Sequence, residues 1–250
     1  MAGRTFAIGD IHGDTEHLFK LLSRLPALDA KDTLVFLGDY IDRGPRSAQV
    51  IDYLRRLPSS TRARVITLRG NHEDAWLRVI DHGWDAFVVP VGNGCLSAYR
   101  SYVGGPVPGE EEEPQPKEAE AMRRGGFLPA DVVAWFRSLP YWFEDDYAIY
   151  VHAGLPRGSD GAFQHPRDVA EPLALLWMRD EYFFRNYRGK MVVFGHTRTE
   201  LLPPELSGYT PSDPTDLWAG ENVVGLDTGC GNGGFLTALE LPTLKVYESR

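Results

Sequence analysis

Along the first eighty residues the apolar positions alternate between two periods. Short, nearly unbroken apolar runs, Phe6-Ala7-Ile8, Leu34-Val35-Phe36-Leu37 and Val65-Ile66-Thr67-Leu68, predict buried strands. Between them, Leu18, Leu21, Leu22 and Leu25, and then Val50, Ile51, Leu54 and Leu57, recur at helical spacing, with Asp14 or Thr15 as N-cap of the first helix. Trp76, Leu77 and Ile80 open a third helix. Strand-helix alternation predicts right-handed βαβ crossovers and parallel strands. Each strand stops at a glycine followed by a polar residue: Gly9-Asp10, Gly38-Asp39 and Gly70-Asn71. A βαβ unit takes roughly 30 residues, which is the spacing of Asp10, Asp39 and Asn71. All three therefore fall at the carboxyl edge of the sheet, where open α/β folds place their sites.

The pattern breaks over residues 83–145. That stretch holds one helix candidate (Val132, Val133, Phe136, Leu139) and a segment rich in Pro, Gly and Glu, residues 104–126. The latter reads as a mobile acidic loop, a solvated insertion rather than a gate. Trp84, Phe87, Tyr99 and Tyr102 read as core or loop packing ahead of a substrate groove. Regular structure resumes before His152 and before Gly195-His196. Three strands then close the chain over 222–227, 235–240 and 244–248, and Pro242-Thr243 predicts an antiparallel hairpin between the last two. Residues 1–250 read as one domain with an insertion at about 83–145.

Composition narrows the partners. With 43% apolar and 24% charged residues the chain is an ordinary globular protein. Its net charge of −9 argues against nucleic acid, so any phosphate must be held by a few local cations. No apolar run approaches the ~20 residues that span a bilayer. The start MAGRTFAIGD has no apolar signal region, and Cys95 and Cys230 lack metal-site spacing. The expectation is a cytoplasmic protein with no membrane partner.

The candidate chemistry lies at the strand ends: Asp10, His12, Asp39, Asn71, His72, His152 and His196. Asp10 and His12, two apart on an extended segment, point the same way. Carboxylates, imidazoles and a carboxamide without thiolate suit Mn, Fe or Zn. Six ligands exceed what one catalytic ion takes; two ions about 3.5–4 Å apart, sharing one carboxylate, would use them all.

The blocks GDIHG (9–13), GDYIDRG (38–44), RGNHE (69–73), HAG (152–154) and GHT (195–197) resemble the PPP-type metallophosphoesterases. The resemblance is greatest to the small prokaryotic and phage-type serine/threonine protein phosphatases, relatives of the diadenosine tetraphosphatases. Leu226-Asp227-Thr228-Gly229 matches a late segment of the same family. The resemblance implies a calcineurin-like α/β fold, a central β-sandwich of mixed sheets flanked by helices. It implies that Asp10, His12 and Asp39 hold one metal, and that Asp39, Asn71, His152 and His196 hold a second with Asp39 bridging. It places the active-site histidine on His72 and its carboxylate partner on Asp42. The phosphate-gripping arginines fall on Arg43 and Arg69, with Arg179 as a third. The implied cofactors are two divalent ions, Mn²⁺ foremost and Fe or Zn as alternatives. The implied reaction is hydrolysis of phosphoserine or phosphothreonine by a metal-bridging hydroxide, with His72 protonating the leaving group.

The substrate is then a phosphorylated protein or a small phosphoester. The alternative is hydrolysis of a dinucleoside polyphosphate. Relatives of that kind tend to lack the Asp of the second block and to carry Leu in place of Arg69, so Asp42 and Arg69 favour the phosphatase. A non-catalytic scaffold would lack ligands, and none is missing. His17 reads as solvated, and Glu73 and Asp74 as first-turn residues of a helix. The run GCGNGG (229–234) reads as a turn at the site rim, because a strand rather than a helix follows it.

Overall fold

The computed structural model describes residues 3–208 and 213–250. In chain order it runs β1 (Thr5–Ile8), α1 (Thr15–Arg24), β2 (Thr33–Phe36), α2 (Ser47–Ser60), β3 (Arg64–Thr67) and α3 (Asn71–His82). Then come α4 (Cys95–Val103), α5 (Pro116–Arg124), α6 (Ala130–Ser138), β4 (Trp142–Glu144) and β5 (Ile149–Val151). The chain ends with α7 (Ala174–Trp177), α8 (Glu181–Asn186), β6 (Val192–Phe194), β7 (Trp218–Ala219), β8 (Val223–Gly225), β9 (Thr237–Leu241) and β10 (Lys245–Glu248).

Two mixed five-stranded sheets form, ordered β10-β9-β1-β2-β3 and β4-β5-β6-β8-β7. The first three strands pair in parallel as expected, Phe6 opposite Leu34 and Leu34 opposite Val65. The closing strands form the expected antiparallel hairpin, with β9 also pairing antiparallel to β1.

Strand alternation sorts side chains into three cores. Phe6, Ile8, Leu34 and Phe36 point outward against helices α1 to α6. Ala7, Val35, Tyr150, Val193, Val224 and Leu239 point inward between the sheets. Ile149, Val151, Val192 and Phe194 face α8 on the far side. A strand buried on both faces must be apolar at every position, which is why these segments read as continuous runs. The result is helices, two sheets and helices in layers, the β-sandwich flanked by helices implied by the resemblance.

Helix signals mostly act as read. The Asp14 side chain caps α1 by accepting from the His17 amide at 2.9 Å. The His17 ring is not simply solvated; it bonds the Ser249 hydroxyl at 2.6 Å. Segment 104–126 is not loop throughout, because its second half is α5. Pro116 at the first helical position and a capping box between Gln115 and Glu118 start that helix, and fully buried Met122 anchors it. Among the described residues no helix is long and apolar enough to cross a membrane.

Candidate active site

Six strands end at one place. Asp10 and His12 follow β1, Asp39 follows β2, Asn71 opens α3 after β3, His152 follows β5, His196 follows β6 and Asp227 follows β8. The backbone there is strained. His12, Asp39, Asp42, Arg43 and His196 have φ of 45°, 54°, 73°, 64° and 61°, and only two other non-glycine residues among those described share that region. Such conformations cost about 1–3 kcal/mol each and persist only where surroundings over-determine them.

Glu73 supplies part of that determination. Its carboxylate is fully buried and accepts the amides of Gly70 at 2.9 Å, Asp39 at 3.0 Å and Tyr40 at 2.8 Å. It therefore ties the start of α3 to the loop after β2, beyond the first-turn role read from sequence. Burial first, then Asp39, pushes its carboxyl up to about 7. Gly70 is obligatory beside it, since a Cβ there would lie 2.1 Å from Asp39 Oδ1.

The imidazoles are oriented from behind. Nδ1 of His12 donates to the Ile41 carbonyl and Nδ1 of His152 to the Leu37 carbonyl, both at 2.9 Å. That leaves each Nε2 as a lone-pair atom facing inward, the arrangement that second-shell carbonyls give metal-ligating histidines. Asp39 presents one oxygen to each, Oδ2 at 3.4 Å from His12 and Oδ1 at 3.4 Å from His152. Asn71 Oδ1 lies 2.9 Å from His152 Nε2 and 2.8 Å from His196 Nδ1. With Nδ1 of His152 already donating, Nε2 and Asn71 Oδ1 face each other as two acceptors, and a cation between them resolves the conflict.

The remaining polar atoms agree. His196 Nε2 and Asp227 Oδ2 are buried without a hydrogen-bond partner. Two buried groupings, His12–Asp39–His72 and Asp39–His152–His196, keep their ligand atoms within 4.8 Å and share Asp39. Asp10 accepts the His196 amide at 3.0 Å. The donor set thus fits a pair of divalent ions.

Charge is concentrated here. Burial drives His12, His152 and His196 below the ordinary histidine range. Burial alone would raise Asp39, but His152, His72 and His12 outweigh it and hold this carboxylate low. Burial, then Asp227 and Asp39, pushes Asp10 well up, and burial raises Asp227 too. The Arg43 guanidinium enters this cluster, with Nη1 2.5 Å from His12 Nε2. A cation already lies where the donors converge.

His72 belongs to the first of those groupings and is held from its other side. Its Nδ1 meets Asp42 Oδ2 at 2.7 Å, and the Trp76 indole donates to both Asp42 oxygens at 3.0 Å. Burial raises the Asp42 carboxyl, opposed by the bond from His72. The His72 ring is gripped edge-on by His12 at 4.7 Å and by Phe87 at 5.3 Å.

A cleft of about 230 Å³ opens over these groups, and Arg43 and Arg179 line it. Arg69, expected to grip phosphate, is drawn away. It donates to the Tyr141 hydroxyl and the Arg137 carbonyl, both at 2.8 Å, and its guanidinium stacks on Tyr141 at 4.6 Å. With its amide also bonded to Pro140 O and Asp74 nearby at 3.7 Å, it is committed to joining β3 to the α6–β4 connection. Trp84 and Phe87, read as packing, line the cleft with Trp177, whereas Tyr99 and Tyr102 pack on Phe127.

Two residues of this centre escaped the sequence reading of roles. Glu73 was signalled by its capping-box spacing from Gly70. Asp227 was signalled by standing directly beyond a strand end, as Asp10 and Asp39 do.

A metal-suited cluster of imidazoles and carboxylates on a mixed β-sandwich, beneath an arginine-lined cleft, defines a metal-dependent phosphoesterase. The chain belongs to the calcineurin-like phosphoesterase family, whose pattern matches residues 3–200. It is 26% identical over 289 residues to a symmetrical bis(5'-nucleosyl)-tetraphosphatase of Janthinobacterium sp. (strain Marseille), covering 95% of this chain and 92% of that one. A 69-residue stretch is 46% identical to a Caenorhabditis elegans chain named provisionally as a serine/threonine-protein phosphatase, covering 26% of this chain and only 18% of that one. The crystal structure of a cold-active protein tyrosine phosphatase shares the fold, with a TM-score of 0.58 at 17% identity over 99% of this chain and 76% of that one.

Proposed function

We propose that the protein is a phosphomonoesterase acting on phosphoserine and phosphothreonine in proteins. The observation that carries this reading is the His72–Asp42 pair, 2.7 Å apart beside the cleft. In this reading Asp10, His12 and Asp39 hold one divalent ion, and Asp39, Asn71, His152 and His196 the other. Bound there, the two ions, Mn²⁺ before Fe or Zn, bring water to nucleophilic strength near neutral pH and draw charge from the phosphoryl oxygens. Arg43 and Arg179 hold the phosphate, as guanidinium forks match its oxygens. His72 donates the proton that the departing alkoxide needs, and Asp42 fixes the ring. Trp76 in turn orients Asp42. No protein nucleophile is required.

A second reading, hydrolysis of a dinucleoside polyphosphate, is favoured by the near full-length Janthinobacterium relative. The position of Arg69 removes one argument against it. Two remain. Asp42 is present and engaged, and Glu110 to Glu113 wall an adjoining cavity of about 700 Å³ that shares Arg43 with the cleft. Those carboxylates repel a polyphosphate chain. Measuring kcat/KM on a phosphothreonine peptide and on diadenosine tetraphosphate side by side tests the choice. The peptide is expected to be the better substrate; the reverse order overturns the proposal.

A further inference from the structure

Asp42 and Arg43 are consecutive residues with φ of 73° and 64°. Side chains rarely adopt such left-handed conformations, and a pair of them persists only where neighbours fix it. Within the same block, the Asp42 amide donates to the Ser47 hydroxyl at 3.0 Å. Further support comes from outside every motif block, at the start of α4. The Arg43 amide donates to the Gly94 carbonyl at 3.2 Å. The Ser97 hydroxyl donates to the Gly44 carbonyl at 2.8 Å, and the Ser101 hydroxyl accepts the Ala48 amide at 3.0 Å. Gly94 and Ser97 thus hold Arg43 and the residue after it. The approach is close: Gly94 has φ of 74°, and a Cβ on it would lie 2.2 Å from the Arg43 nitrogen. Ser97 is buried, so its hydroxyl and the Gly44 carbonyl cannot trade this bond for one with bulk water. Helix α4 is seated independently of the site, since Cys95, Leu96 and Ala98 bury in the core beneath the helices. The same stretch steadies Phe87, whose ring rests on His72: the Asn93 amide donates to the Phe87 carbonyl at 2.7 Å.

We propose that Gly94 and Ser97 are positioning residues for phosphate binding: from the start of α4 they hold the Arg43 backbone so that its guanidinium faces the cleft. This rests on the phosphomonoesterase reading, in which Arg43 grips phosphate. Neither residue lines the cleft, so both act through Arg43. An arginine side chain is long and has many rotamers, and its fork grips phosphate only when the backbone beneath it is fixed. The loop after β2 carries the strain, and α4 supplies the opposing hold from a part of the chain far from that strand.

The test uses the full chain loaded with Mn²⁺ and inorganic phosphate as the probe, its affinity read by calorimetry. Ser97→Ala is expected to weaken phosphate binding roughly 3–10-fold, the worth of about one hydrogen bond. On p-nitrophenyl phosphate its KM should rise more than its kcat falls, because what is lost is binding. Ser97→Thr keeps the hydroxyl and should bind phosphate within about twofold of the unaltered protein. Arg43→Ala and the double variant Ser97→Ala/Arg43→Ala should bind phosphate alike, since Ser97 has no other route to the ligand. Should Ser97→Ala fail to fold, Ser97→Cys, which keeps the volume and weakens the bond, takes its place in the same comparison. Phosphate affinity unchanged by the loss of the hydroxyl overturns the proposal. So does a double variant in which the two losses multiply, because Ser97 would then act on the whole fold rather than through Arg43. Failure of inorganic phosphate to bind the unaltered Mn²⁺-loaded protein overturns the phosphomonoesterase reading itself.

Discussion

His72 is held on every side: Asp42 behind it, His12 and Phe87 against its ring faces and edges. His72→Asn should lower kcat on a poor leaving group by ~10²-fold or more while bound metal, read by elemental analysis, stays constant. An unchanged rate would remove His72 from the proton-donor role. The two arginines of the motifs should behave differently. Arg43→Ala should weaken inorganic phosphate binding, because its guanidinium faces the cleft. Arg69→Ala should leave phosphate binding near unchanged and lower the unfolding free energy instead, since three groups lose their partner. A large loss of phosphate affinity in Arg69→Ala would restore its motif-based role. Glu73→Ala should cost about 3 kcal/mol or more in denaturant unfolding, with four buried amides left unpaired at about 1–3 kcal/mol each. Residue type alone pointed to His72 and Arg43. It could not point to all the work of Glu73, since its partners Asp39 and Tyr40 lie on a loop far back in the chain.

Residues 83–145 show where periodicity stops being informative. Helix α6 was legible because Val132 and Phe136 recur at helical spacing and bury. Helix α5 was not, since charged residues dominate it and one buried apolar residue, Met122, fastens it to the core. Met122→Ala should therefore cost about 2–5 kcal/mol, readable as a shift of the unfolding midpoint. The acidic stretch before it is tied by buried Arg100, which bonds Glu112 at 2.7 Å and Glu118 at 2.8 Å. Arg100→Ala should release that stretch and speed limited proteolysis between residues 105 and 115, while cleavage elsewhere stays slow. Equal cleavage in both proteins would mean that the pair adds nothing to local order. Two aromatic residues of the same stretch, Trp84 and Phe87, reach the cleft, and two, Tyr99 and Tyr102, do not. Spacing did not separate these pairs, because both are aromatic residues in irregular or short helical segments.

Across the two sheets, six strand ends deliver carboxylates, imidazoles and an amide into one buried centre. Asp10, Asp39 and Asp227 crowd there, and atoms of His196 and Asp227 lack partners. Divalent ions should relieve that crowding, so Mn²⁺ should raise the melting temperature in a concentration-dependent way and EDTA should reverse it. EDTA should also abolish release of phosphate from p-nitrophenyl phosphate; full activity after dialysis against it would end the two-ion reading. Much of this was written in the order of residues. Apolar periodicity marked the strands, and polar residues one step beyond each strand end marked the edge of the sheet, since both are properties of local backbone geometry. The second sheet, the partner of each histidine and the wall of the cleft were not written there, because they depend on which distant segments pack together. Arg43 and Arg69 make the point: both are arginines within motif blocks near one centre. One faces the cleft and the other does not, because a tyrosine and a carbonyl from another element lie beside the second.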